Sequence, residues 1–259
     1  MNWVKVISIF SVMLLSSPVI FILVEGLALR SPQAFSPYFL DGVVLSVASS
    51  VTASLINVLL FTPLAYYLSR TMDPITDTLA DVPASIPHPI VGVALVFLDG
   101  DYSPVGRFLQ SLGINFFDTY QGLVVALVIV SAPIYVRGMK SYFDALPRSY
   151  ENYARTLGAG PLRTFLEVVL PLSLKGMVSS SLTSMSRALS EFGSIAIIAY
   201  YVLGYPFNGV SPASVQIYNM YGYYGPQVAI SASAVMIAVG LSLLLLIKVI
   251  ERWVKTGGG

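Results

Sequence analysis

Apolar residues in this chain come in long blocks, and only short stretches between the blocks carry polar and charged side chains. A helix that crosses about 30 Å of hydrocarbon needs roughly 20 apolar residues. The pattern predicts six such helices, over residues 4–27, 43–68, 77–98, 120–138, 177–201 and 227–249. The predicted fold is therefore an all-α polytopic membrane protein, with residues 1–259 forming a single transmembrane domain.

Composition agrees with a location in the lipid bilayer. The mean hydropathy is +0.77, and 56% of the residues are hydrophobic, against about 45–50% in soluble domains. The chain has no cysteine, which excludes disulfides, thiolate metal sites and cysteine nucleophiles. A net charge of +1 gives no indication of nucleic-acid binding, and no such partner is expected.

The distribution of Lys and Arg predicts the orientation of the chain. Six spans put both termini on one side, together with the loops 69–76 and 139–176, and this side carries nearly all the basic residues. The opposite loops carry only Arg30 and Arg107. Because basic residues accumulate in cytoplasmic loops, both termini and the loop 139–176 are predicted to be cytoplasmic in a multi-pass protein of the cell membrane.

The last outer loop, residues 202–226, has no charge and is rich in Tyr, Gly and Pro. Two interpretations are open. The tyrosines are typical of an aromatic belt at the membrane interface, or the loop forms a surface for docking or entry, since loops often carry function.

The cytoplasmic loop is unusually charged, because residues 137–175 hold nine of the 27 formal charges. Within it, residues 149–171 are predicted to form two short helices. Gly158 ends the first helix, Pro161 occupies the first position of the second, and Pro171 ends it. Basic helices that lie on lipid usually carry more Lys and Arg than this segment does, so a contact with a protein partner is favoured over a contact with lipid.

The same segment resembles a known motif. Glu151, Ala154, Gly158 and the pair Leu170–Pro171 match the spacing of the EAA motif of ABC importer permeases, although Asn152 replaces the alanine that usually follows the glutamate. The resemblance implies a type I ABC importer permease whose coupling helix contacts a cytoplasmic ABC ATPase subunit. The residues it implies for this coupling are Glu151, Ala154, Leu157, Gly158, Pro161, Leu170 and Pro171.

Nothing in the chain matches the G-x-x-x-x-G-K-[ST] loop that cradles nucleotide phosphates. If transport is driven by ATP, the nucleotide and its Mg²⁺ are therefore expected on the partner ATPase. The chain is expected to be a transport subunit and not an enzyme, with no cofactor of its own.

Three further stretches resemble oxyanion permeases. SRALSEFG at residues 186–193 is similar to a segment of molybdate, tungstate and sulfate permeases, and IPHPIVGVALVF at residues 86–97 resembles tungstate/molybdate permeases of the archaeal type, as does FTPLAYYLSR at residues 61–70. The resemblance implies import of tungstate or molybdate, an extracellular oxyanion-binding protein as partner, and assembly with a second copy as a homodimer. A sulfate/thiosulfate permease is the alternative.

Ionisable residues inside predicted spans are functional candidates. Arg187 and Glu191 are spaced i,i+4 and share a helix face, either as a structural pair or, for Arg187, as a contact of the passing dianion. His88 either satisfies backbone carbonyls freed by neighbouring prolines or contacts the oxyanion. Ser190 and Gly193 complete this candidate pathway set, and no metal site is expected.

The hydroxyl-rich stretch 179–186 suits close helix packing and equally suits neutral donors along a pore.

Two other classes of protein fit the sequence less well. A membrane enzyme lacks a dense polar cluster or nucleophile motif in this sequence. A secondary transporter would be expected to show inverted repeats with broken helices, and the sequence shows no such repeat.

Overall fold

A computed structural model describes residues 2–256, so the extreme ends of the predicted domain, Met1 and Gly257–Gly259, lie outside the described residues. The described part is helical, as predicted. Its helices are α1 (Asn2–Leu29), α2 (Pro37–Arg70), α3 (Pro74–Ser85), α4 (His88–Phe97), α5 (Pro104–Ser111), α6 (Tyr120–Ala145), α7 (Ser149–Thr156), α8 (Pro161–Leu172), α9 (Leu174–Leu189), α10 (Ile195–Ile198), α11 (Ala213–Tyr224) and α12 (Pro226–Thr256).

Four of these helices, α1, α2, α6 and α12, are long and apolar enough to cross a membrane. They correspond to the predicted first, second, fourth and sixth spans. The third and fifth spans are not the continuous helices that were predicted over 77–98 and 177–201. The pair α3 and α4 is bent by 99°, and the pair α8 and α9 by 72°. Six spans result if each bent pair counts as one.

Each of these differences has a local cause. Pro87 and Pro89 flank the bend between α3 and α4, and a proline cannot donate the backbone hydrogen bond that a continuous helix needs. In the fifth span the helix stops at Leu189, and residues 190–201 form turns and the short α10. Hydropathy did not reveal this stop because the apolar run at residues 195–201 keeps the average over the predicted span high.

The core of the molecule forms where α2, α6 and α9 pack together, with α4 and α10 closing one end. A second cluster fills the other end around Tyr135, Met139 and Phe143 of α6. Helix α1 lies along α12, and most of its apolar side chains are exposed in the described chain. An apolar face of this kind suits contact with lipid.

Polar side chains bond the three central helices to one another. The Asn57 amide of α2 donates to Ser131 Oγ of α6 and to Ser184 Oγ of α9, both at 2.8 Å. The hydroxyls of Thr62 and Tyr135 lie 2.6 Å apart. Hydroxyl and amide groups commonly bond across helices in a membrane. Ser184 therefore takes the packing role that was one of the two predictions for the stretch 179–186.

Helix α3 is held against the end of α6 by charge. Lys140 Nζ lies 2.7 Å from Asp77 Oδ1, and Arg137 Nε donates to Asp81 Oδ1 at 2.9 Å. Asp73 caps α3, and the hydrogen bond from the Thr76 hydroxyl, with others from backbone N–H groups and Tyr67, holds the pKa of its carboxyl below the usual range. Arg137 and Lys140, two of the nine charged residues in the segment 137–175, are thus paired within the chain.

Candidate functional site

The break between the two short helices of the cytoplasmic loop is a glycine turn. The Ala159 N–H donates to the Ala154 carbonyl at 3.0 Å, and the Gly158 N–H donates to the Arg155 carbonyl at 2.9 Å. Gly158 has φ of +87°, a conformation that favours glycine. This is the Schellman arrangement of helix ends, and Pro161 then begins α8 as predicted. Ala154 and Gly158, two positions of the motif, therefore both belong to the C-terminal end of α7.

The Leu170–Pro171 pair forms the elbow into the fifth span. Residues 165–169 form a π-helical turn in which the Leu170 N–H reaches the Phe165 carbonyl. Pro171 has no N–H to continue the ordinary helical ladder, and a π turn is a common local adjustment. Helix α8 was predicted to end at Pro171. It continues to Leu172, and the bend of 72° follows there.

The structure buries the side chain of Glu151, whose exposed fraction is 5%. The Arg70 Nε lies 2.7 Å from Glu151 Oε1, and the Tyr66 hydroxyl donates to Oε2 at 2.8 Å. Arg155 approaches Oε2 at 3.7 Å. The Glu151 carboxylate therefore contacts the C-terminal end of α2 in this chain and is not displayed on the surface of the segment.

Three large apolar side chains are exposed on the segment instead. Tyr153 is 69% exposed, Leu157 88% and Leu162 71%. Beside them, Arg163 and Glu167 form an exposed i,i+4 pair with 2.8 Å between Nε and Oε2. Apolar side chains exposed on a charged loop are typical of a protein interface.

The predicted membrane-embedded residues come together at the two broken spans. Arg187 Nη2 lies 2.9 Å from Glu191 Oε2 and 2.6 Å from His88 Nδ1. His88 Nδ1 is also 3.0 Å from Glu191 Oε2. The other oxygen, Glu191 Oε1, accepts from the Ser194 N–H at 2.9 Å and from its hydroxyl at 3.0 Å. Arg187 Nη1 also donates to Ser190 Oγ at 3.3 Å.

This set of side chains joins the start of α4 to the end of α9. The contacts of the His88 imidazole differ from one of its two predicted roles. His88 contacts Arg187 and Glu191, whereas the sequence suggested freed backbone carbonyls as its partners. Two glycines allow α4 to approach the turn after α9 closely. A Cβ on Gly92 would lie 2.5 Å from the Ser194 carbonyl oxygen, and a Cβ on Gly193 would lie 3.0 Å from Pro89 Cδ.

The set also lies well along both broken spans when measured from one helix end of each. At 1.5 Å per residue, Arg187 is about 20 Å along α9 from Leu174, and His88 is about 14 Å along α4 from Phe97. The Glu191 side chain is 2% exposed, whereas Arg187 is 25% and His88 29% exposed. The cationic and imidazole groups are thus reachable in the single chain, while their carboxylate partner is buried.

Residues of the site that the sequence analysis missed are Tyr66 and Arg70, which hold Glu151, and Asn57, which bonds α2 to α6 and α9. Arg70 enters the sequence predictions only as a basic residue of the loop 69–76 and as the last residue of the FTPLAYYLSR resemblance, without a partner. Its i,i+4 spacing from Tyr66 at the end of a span is a signal of a shared face. The partner of that face lies more than eighty residues further along the chain, so no local pattern indicates it.

Comparison with known proteins identifies the family. Residues 58–256 match the family described as the binding-protein-dependent transport system inner membrane component. The chain is 30% identical over 215 residues to the molybdate/tungstate transport system permease protein WtpB of Thermococcus kodakarensis, covering 82% of this chain and 78% of that protein. It is 29% identical over 263 residues to the sulfate transport system permease protein CysT of Synechocystis, covering 97% and 88%.

Solved structures give the same fold at lower identity. A bacterial ABC transporter involved in the import of the polysaccharide alginate matches with a TM-score of 0.71 and 16% identity, covering 97% of this chain and 96% of that chain. The MetNI methionine ABC transporter matches with a TM-score of 0.60 and 18% identity, covering 83% and 95%. The chain therefore belongs to the inner membrane components of binding-protein-dependent transport systems, the permease subunits of ABC importers.

Proposed function

We propose that this permease forms the transmembrane route for tungstate or molybdate in an ATP-driven importer. The observation that carries the proposal is the partly exposed Arg187 at the junction of the two broken spans. A guanidinium offers planar N–H donors that suit oxyanions. Thr183 and Ser186 of α9, and Ser190 just beyond its end, are exposed beside this cation. Their hydroxyls donate to backbone carbonyls of the same segment in this structure, so each would turn toward the ion to act as a neutral donor.

Weak binding is part of the proposal. A pathway must hold its ion loosely enough to release it. Glu191 and His88 both contact Arg187, so an oxyanion competes with these partners for the guanidinium. The competition lowers the affinity of the site for the ion and leaves ion selection mainly to the binding protein.

On the cytoplasmic side, α7 and the start of α8 form the surface for an ABC ATPase subunit. Tyr153, Leu157 and Leu162 supply exposed apolar contacts, and ATP and Mg²⁺ belong to the ATPase. The family description itself names transport that depends on a binding protein, and the outer surface with exposed Tyr205 and Tyr223 is the proposed docking face for it. Two copies of the chain form the pathway, with all termini cytoplasmic.

The test uses the complex of permease, ATPase and binding protein in lipid nanodiscs. ATP hydrolysis is measured with the binding protein loaded with tungstate, molybdate or sulfate. Stimulation by tungstate or molybdate and not by sulfate supports the proposal. A permease that does not copurify with any ABC ATPase subunit contradicts the ATP-driven function.

A sulfate or thiosulfate permease is the second candidate. The relative named as a sulfate permease aligns over 97% of this chain, more than the 82% of the molybdate/tungstate relative. These ions are tetrahedral dianions, so Arg187 suits any of them. Stimulation of hydrolysis by sulfate alone would favour this candidate.

A further inference from the structure

The contacts of Glu151 point inward, away from the surface on which a partner would dock. On α7, residues two positions apart lie roughly 200° apart around the helix axis. Tyr153 is accordingly exposed, and Leu157, four positions further along, shares its face. Glu151 lies on the opposite side with 4% of its surface exposed. The carboxylate of Glu151 therefore makes its contacts within the chain.

Arg70 connects Glu151 to two spans. Besides its ion pair with Glu151, it donates from Nη1 to the Phe143 carbonyl at 2.8 Å, near the end of α6. Arg70 itself is the last residue of α2. The side chain is only 13% exposed, so water competes little with these bonds. One guanidinium thus links α7 to the cytoplasmic ends of α2 and α6.

Tyr66 anchors the other half of the segment. Its ring centroid lies 4.9 Å from that of Phe165 in α8 and 5.4 Å from that of Phe143 in α6. Its hydroxyl donates to Glu151. One turn of α2, which carries Tyr66 and Arg70, therefore contacts both short helices on either side of the glycine turn at Gly158.

We propose that Glu151 is a positioning residue, which with Arg70 and Tyr66 fixes the coupling segment rigidly to α2, so that displacement of the segment by the ATPase is passed directly to that span. The inference rests on the proposed coupling function. It differs from a direct contact between Glu151 and the ATPase, because in that case Arg70 and Tyr66 would have no part in coupling.

The first test measures ions transported per ATP hydrolysed in the assembled nanodisc complex. Arg70→Met, Glu151→Gln and the milder Tyr66→Phe are each compared with the wild type. We expect Arg70→Met and Glu151→Gln to lower the ratio at least about fivefold, the lower end of typical coupling between sites. Tyr66→Phe keeps the ring contacts and should give a smaller decrease.

The double variant R70E/E151R separates the two interpretations. An internal ion pair predicts that the exchange restores part of the lost ratio, because the pair forms again with opposite polarity. A direct contact of Glu151 with the ATPase predicts no effect of Arg70→Met and no recovery in R70E/E151R, and that result would overturn the proposal. If the wild-type complex shows no ATP-driven transport, the proposed function fails instead.

The second test does not depend on transport. The chain has no cysteine, so spin labels can be placed at Met72→Cys and Asn152→Cys, both exposed positions next to Arg70 and Glu151. If the segment is fixed rigidly to α2, the distance between the two spin labels should have a narrow distribution that ATP does not change. The Arg70→Met substitution should broaden this distribution. Arg163→Met, which removes an exposed ion pair of the same segment, is the control and should keep the narrow distribution. A broad distribution in the wild type would contradict the proposal.

Discussion

At the scale of single residues, Arg187 contacts two ionisable side chains, the buried Glu191 and the partly exposed His88. Glu191 has both oxygens occupied, Oε2 by Arg187 and His88 and Oε1 by Ser194. A carboxylate deep in a membrane is stable only when it is paired in this way. The pairing explains why Glu191 is present, but it does not explain why Arg187 remains 25% exposed. The transit role proposed for Arg187 would account for that exposure.

Replacing Arg187 separates these roles. Arg187→Gln removes the guanidinium partner of Glu191 and leaves only His88 and Ser194 beside the buried carboxylate, and breaking a buried pair from one side costs about 3 kcal/mol. We expect a lower apparent melting temperature and loss of ion transport. The double variant Arg187→Gln/Glu191→Gln should recover the melting temperature, since no charge is then buried alone, but it should not recover transport. Transport restored in the double variant would show that the pair is only structural.

At the scale of elements, the turn between α7 and α8 depends on one glycine. Gly158→Ala places a Cβ at φ of +87°, which costs about 1 kcal/mol, although the space around it is open. We expect weaker ATPase binding by the permease in a pull-down from detergent. Gly160→Ala is the matched control, because Gly160 has φ of −69° and equally open space. Equal binding by both variants would contradict the role of the turn.

The junction of α4 with the turn after α9 depends on close contact. A Cβ at Gly92 would meet the Ser194 carbonyl oxygen at 2.5 Å, and such overpacking costs about 2 kcal/mol. We expect Gly92→Ala to lower the apparent melting temperature of the purified complex and to reduce transport. Gly240→Ala in α12, where a Cβ has no neighbour within 4 Å, should leave the melting temperature unchanged or slightly higher. A Gly92→Ala protein as stable as the wild type would contradict the packing.

At the scale of the whole molecule, the orientation in the membrane can be tested by labelling. Met72 is 102% and Tyr205 98% exposed, and they lie on opposite sides in the proposed topology. With no native cysteine in the chain, an impermeant maleimide should label Tyr205→Cys in intact cells. Met72→Cys should be labelled only after permeabilisation. The reverse pattern would place the coupling segment outside the cell and contradict the ATPase assignment.

Prediction from sequence succeeded where the signal is local. Long apolar blocks are sufficient to place α1, α2, α6 and α12, because the cost of exposing backbone polar groups to lipid makes helices obligatory. The glycine and proline at 158 and 161 likewise give the break between α7 and α8. The spacing of Arg187 and Glu191 gives their pairing, since residues four apart share a helix face.

The sequence by itself thus determined the helical membrane class, the charged segment at residues 137–175 and the identity of its turn residues. Only the tertiary structure decided that the third span bends by 99° and that the fifth ends at Leu189. It also decided that His88 meets Arg187 and that Arg70 meets Glu151. The reason is physical: apolar periodicity reports the local free energy of burial in lipid, whereas these pairings join residues about eighty to a hundred positions apart, and only the packing of helices brings them together.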